Sequence, residues 1–162
     1  MGNTSNNYVE QVSEALREMN ISFTEKSASN GKRFKFSWKC SNIPTLDITI
    51  YAIESGVAQL YAYTPHHIPE ENTLATLSVL NDLHNKHRFV TFFITKNGDI
   101  CAQLDIHLYA ADNFPDTLME LIRTFALVVD TGIADINKAL RESADEAEPD
   151  FLFFRANLFE ED

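Results

Sequence analysis

The chain has 162 residues, a length that suits one domain with its own core. It is 44% hydrophobic and 23% charged, an ordinary globular composition. Its net charge of −11, concentrated in residues 110–162 with 13 acidic and 4 basic side chains, argues against binding DNA, RNA or an anionic membrane surface, which all require Lys and Arg against phosphate.

Residues 1–7 are polar and read as a disordered N-terminus. Val9, Val12, Leu16 and Met19 then recur at helical spacing and predict a first helix over about 8–19, capped by Asn6 or Asn7 and stopped near Asn20. Residues 21–26 read as a short extended piece. Lys32–Lys39 alternates, with Phe34, Phe36 and Trp38 on one side and Arg33, Lys35 and Ser37 on the other, as a half-buried strand does. Thr45–Ile53 and Val57–Tyr63 complete a meander around the turn Glu54-Ser55-Gly56.

The second helix is predicted over about 70–86. Its apolar residues, Leu74, Ala75, Leu77, Val79, Leu80 and Leu83, cover well over half of a helical wheel. One sheet cannot cover that arc, so a second surface must come from another element or another subunit. Asn97-Gly98 follows between two β-type runs, 89–95 and 100–108, and suits a two-residue type I′ hairpin. A third helix is predicted over about 116–141 on the stripe Leu118, Leu121, Ile122, Phe125, Val129, Ile133, Ile136 and Leu140, with Gly132 marking a bend or an early end. Residues 142–150 read as an acidic linker and 151–162 as an apolar C-terminal tail. The order α-β-β-β-α-β-β-α predicts an α+β fold, a twisted antiparallel sheet with helices on one face.

No catalytic signature is present: there is no nucleophile elbow and no glycine-rich phosphate loop. His66-His67 and the i, i+3 pair His84/His87, with His107, are candidate metal ligands, but their spacing does not form a closed ligand set. Cys101 lies within an alternating strand and reads as a buried thiol rather than a nucleophile. With no apolar run of transmembrane length and two cysteines, Cys40 and Cys101, far apart, a cytoplasmic protein with free thiols is the economical reading. A second apolar face is suggested by Tyr51, Tyr61, Tyr63, Phe93, His107 and Tyr109, the kind of amphipathic aromatics that interfaces favour.

Leu77-x-x-Leu80-Asn81-x-Leu83, Arg88-Phe89-Val90-x-Phe92-Phe93, Asn97-Gly98-Asp99-Ile100, Leu104-Asp105-Ile106 and the helix through Leu121, Ile122 and Phe125 resemble the YbjN-domain family, whose fold is similar to type III secretion chaperones. The resemblance spans about residues 8–141. It implies a non-enzymatic protein that forms a homodimer and binds other proteins, with no catalytic residues and no cofactor. It also places the second helix near the dimer contact, which makes Leu74, Leu77, Leu80 and Leu83 candidate dimer residues. The sequence reading is therefore a chaperone-like adaptor or regulator with an unknown protein partner. The alternative is a small metal-dependent or thiol enzyme using His66, His67, His84, His87, His107 or Cys101.

Overall fold

The computed structural model describes residues 7–108 and 114–156, with side chains as far as Ser143. The elements are α1 Tyr8–Glu18, β1 Thr24–Ala28, β2 Gly31–Lys39, β3 Thr45–Ile53, β4 Val57–His67, α2 Thr73–Lys86, β5 Thr91–Ile94, β6 Asp99–His107 and α3 Phe114–Ala156. A 3₁₀ turn, Glu70–Asn72, leads into α2. The strands form one antiparallel sheet in the order β1-β2-β3-β4-β6-β5.

Alternation decides which face is covered. Phe34 and Phe36, Leu46, Ile48 and Ile50, Ala58, Leu60 and Ala62, and Ile100, Ala102, Leu104 and Ile106 all point to one side and are buried. The three helices lie over that side and supply Val12 and Leu16, Leu80 and Leu83, and Leu118, Ile122, Phe125, Val129 and Ile133 to the same core. The α+β architecture with helices on one face is as the sequence predicts. The extended piece after α1 joins the sheet as β1, paired to β2 from Thr24↔Lys35 to Ala28↔Gly31.

Asn7 caps α1, its side chain accepting from Glu10 N–H at 3.4 Å. At the other end Asn20 takes a left-handed φ of 55°. Asn20 N–H donates to Arg17 O and Ile21 N–H to Leu16 O, both at 3.0 Å, a Schellman closure that turns the chain toward β1. The expected disorder at 1–6 lies outside the described residues.

The β5–β6 turn is not type I′. Gly98 has φ +87°, but Asn97 is not among the described residues with positive φ. Gly98 N–H donates to Thr95 O at 3.0 Å and Thr95 N–H to Asp99 O at 2.8 Å. Lys96, Asn97 and Gly98 thus form a three-residue loop, a β-turn followed by a glycine bulge. The Thr95 hydroxyl favours it by accepting from Asn97 N–H at 3.3 Å and Asp99 N–H at 3.2 Å.

α3 does not stop at Gly132, and it continues beyond Arg141 through the acidic stretch to Ala156. Ala and Glu are good helix formers, so loss of the apolar stripe does not end the helix. The glycine serves packing instead: a Cβ there would meet the Phe92 ring at 2.8 Å. Asp130, two residues earlier and almost fully buried, accepts from Ser41 N–H and Asn42 N–H at 3.0 Å each, Ile43 N–H at 3.3 Å and Asn42 Nδ2 at 3.1 Å. One carboxylate therefore satisfies three successive amides of the β2–β3 loop, as a backbone nest does for an anion.

Gly132→Ala gains about 1 kcal/mol of helix propensity but overpacks against a fully buried ring, at a cost of about 1–3 kcal/mol. Urea unfolding should show net destabilisation, relieved when Phe92→Leu is added. Asp130→Ala strands the loop amides and should lower stability by about 3 kcal/mol, with Asp130→Asn intermediate.

Candidate functional site

The strand register sorts the outward side chains into rows across the open face of the sheet. Phe93, Cys101 and Tyr63 are direct neighbours on β5, β6 and β4. Tyr61 lies two residues along β4 and meets Tyr63 edge-to-face, with ring centroids 6.4 Å apart. Tyr63 is 57% exposed and Phe93 37% exposed, while the small Cys101 between them is buried. Tyr61, Tyr63 and Phe93 thus come together as one aromatic group.

The other candidates on this face stand apart from it. The Tyr51 hydroxyl donates to Asn30 Oδ1, and the Arg33 guanidinium sits 4.8 Å from the Tyr51 ring centroid. That pairing gives Tyr51 a partner within the chain. His107 occupies a different row, opposite Val57 at the far end of β6. Tyr109 lies outside the described residues.

The four leucines of α2 divide. Leu80 and Leu83 are fully buried in the core of their own chain, whereas Leu74 is 83% exposed and Leu77 45% exposed. α3 provides the second surface that the wide apolar arc requires: Gly132 lies beside Leu83, and a small hydrophobic seam joins Ala75 and Val79 to Ile136, Ala139 and Leu140. Of the proposed dimer contact, Leu80 and Leu83 are therefore taken by the fold, and Leu74 and Leu77 remain on the surface. Leu77 borders an open groove of about 640 Å³ between the start of α2 and the β5–β6 turn, with Ile68, Thr73 and Ile94 in its walls.

The histidines do not converge. No group of three His, Cys, Asp or Glu side chains among the described residues is placed to hold a metal. His66 bridges Thr64 Oγ1 and Asn137 Oδ1 at 2.9 Å each, and His67 pairs with Asp99 at 3.0 Å. His84 Nε2 accepts from Phe92 N–H at 2.8 Å, which fastens α2 to β5 and puts the ring proton on Nδ1. The Cys101 thiol is pushed up to about 11 by burial, opposite to what a nucleophile needs. Cys40 is also raised, by burial first and then by the charge of Asp130. The metal-dependent or thiol enzyme loses the convergence it requires.

Asp130 escaped the sequence reading, although the signal was present. It sits between Ala126 and Ile133 on the buried stripe of α3, and a charge inside such a stripe needs donors from elsewhere.

Residues 8–138 match the family described as "YbjN: Putative bacterial sensory transduction regulator", and the chain belongs to that family. The fold is similar to the "Crystal structure of YbjN, a putative transcription regulator from E. coli", at 12% identity, a TM-score of 0.60, and coverage of 80% of this chain and 90% of that one. An uncharacterized protein from Methanothermobacter thermautotrophicus is similar at 13% identity and a TM-score of 0.59, covering 81% of this chain and 97% of that one. No curated protein matches the sequence. No described helix is long and apolar enough to cross a membrane.

The Cys101 shift has a consequence for stability. The thiol titrates at about 11 when folded, against 9.0 for the unperturbed group. Between those values the folded chain holds a proton that the unfolded chain releases, so stability falls as pH rises through that window. Denaturant titrations should show the loss in the native sequence and a weaker loss in Cys101→Ala. Rapid alkylation of Cys101 in the folded protein at neutral pH would contradict the burial and revive the thiol chemistry.

Proposed function

We propose that this member of the YbjN family is a non-enzymatic, chaperone-like adaptor or regulator that works in the cytoplasm as a homodimer and binds other proteins. The observation that carries the reading is the Tyr61, Tyr63 and Phe93 group, with Tyr63 and Phe93 exposed and Tyr61 half-buried, on a sheet face that no described helix covers. Aromatics clustered on a solvent-facing surface are an aggregation liability unless a partner uses them, and Tyr in particular offers apolar area with a polar edge. The regulator description of the family supports a binding role over chemistry. The resemblance to type III secretion chaperones supports the chaperone-like part.

For the homodimer the candidate contact is now Leu74 and Leu77. A stable interface buries about 800 Å² per partner, so two leucines form the centre of such a contact and not its whole. The domain proper would be residues 8–141, with 142–150 and 151–162 as an acidic and apolar extension outside the minimal family pattern.

Light scattering on the full chain at tens of micromolar should give twice the monomer mass, and Leu74→Glu with Leu77→Glu should give the monomer while keeping the fold. A wild-type monomer at all concentrations would remove the dimer from the proposal. Affinity capture from the native cytosol should recover a protein that is lost on Tyr63→Ala with Phe93→Ala, at unchanged dimer mass. Recovery of the chain's own subunits alone would count against the adaptor.

A further inference from the structure

We propose that the edge of β2 from Phe36 to Lys39 is a second binding site, which takes as an added strand an extended segment of another protein whose residues alternate apolar and acidic. This rests on the reading of the chain as a protein-binding adaptor, but it uses a different surface from the aromatic group.

β2 has nine residues, and β1 has five that pair with it only from Gly31 to Lys35. Beyond Thr24↔Lys35 no strand among the described residues lies beside the outer side of β2. Glu54 N–H donates to Asn30 O at 3.0 Å, so even-numbered residues of β2 direct their amides toward β3 and odd-numbered ones away from it. Ser37 and Lys39 therefore present backbone N–H and C=O groups at the open edge, ready for an incoming strand. The span of four residues is about 13 Å, enough for a short strand.

The surroundings are shaped for side chains as well. An open hollow of about 1050 Å³ runs along this edge, between Asn20–Thr24 on one flank and Phe36–Lys39 on the other. Ile21, Phe23 and Trp38, all partly buried against the core, give it apolar walls on the helix side. On the open side of the sheet the same stretch carries Lys35 and Lys39, with Lys26 and Arg33 next to it on the paired part of β1 and β2, and Asp47 as the acidic neighbour, 3.0 Å from Lys35 Nζ. This cationic row stands out in a chain of net charge −11. A strand continuing the line of β1 would send alternate side chains into the apolar hollow and toward the lysines.

Two other occupants fit less well. A second copy paired edge to edge would set one cationic row against another. The chain's own tail follows α3, which passes Ser41–Ile43 at Asp130, His66 at Asn137 and Ala75 near Leu140, running away from this edge.

The test uses the full chain and a blocked heptapeptide of alternating valine and glutamate, followed by amide NMR. Shifts and slowed hydrogen exchange are expected at Ser37 and Lys39. Methylating alternate backbone nitrogens of the peptide should abolish binding. Replacing its glutamates by lysines, or introducing Lys35→Glu with Lys39→Glu, should weaken it by about tenfold. Shifts confined to Tyr63 and Phe93 would overturn the edge site while leaving the adaptor reading intact. No shift anywhere would overturn the edge site, with the adaptor reading then resting on its own capture experiment. Amides at Ser37 and Lys39 already protected without peptide, and freed on truncation at Ala147, would assign the edge to the tail and overturn the foreign partner.

Discussion

The carboxylate of Asp130 is the joint on which the arrangement depends. The loop Ser41–Ile43 turns the chain from β2 into β3, and its amides have no ladder to join. Backbone donors in a partly buried turn must find an acceptor, and a single helical side chain supplies it. The bond set fixes α3 along its axis at one end of the sheet. Gly132, two residues on, fixes its height by letting the Phe92 ring of β5 close against the helix backbone. A helix held at both the β2–β3 loop and β5 spans the sheet, and α1 and α2 fill the space on either side of it.

That placement divides the apolar surface into covered and uncovered parts. The stripe of α3 is covered, and with it the inner half of α2, so Leu80 and Leu83 are spent on the fold. Among the described residues what remains outside is Leu74 and Leu77 at the start of α2, Phe89 just after it, Leu127 on the outer side of α3, and the aromatic group around Cys101 on the opposite face. The functional reading rests on these remainders. The same division explains Cys101, which points outward by alternation yet is shielded by its neighbours Tyr63 and Phe93, and so behaves as filler.

Period 2 and period 3.6 carried the fold. The alternation of Phe34, Phe36 and Trp38 with charged residues and serine placed β2 and its buried side correctly, and the stripe from Leu118 to Leu140 did the same for α3. Failures came where a tertiary neighbour decides the local outcome. Asn97-Gly98 reads as a two-residue turn, but the Thr95 hydroxyl captures two amides and lengthens the loop to three. Gly132 reads as a helix breaker until Phe92 is opposite it. The leucines of α2 look alike on a wheel, and only the position of α3 tells Leu74 from Leu80. The aromatic group was half legible: alternation puts Tyr61, Tyr63 and Phe93 on the open face, but the register that joins β4 to β6, and β6 to β5, is needed to bring them side by side. It also separates Tyr51, which Asn30 and Arg33 engage.

The edges of the sheet are treated unequally, and the contrast bears on function more than any single residue does. At β5 the strand is short, and an amide that a foreign strand would seek, Phe92 N–H, is already given to His84. β1 is short, exposed and charged at Glu25 and Lys26, the usual defence against unwanted pairing. Among the described residues β2 beyond Lys35 has neither protection: no cap on Ser37 N–H, no covering helix, and Trp38 beside an open hollow. Extending β1 by a few residues toward Ile21 would close that gap, but the Schellman turn at Asn20 aims the chain to enter the sheet only at Thr24. The opening in the edge is thus produced by a specific backbone conformation at the end of α1, and the geometry of that one turn sets how much of β2 another chain can reach.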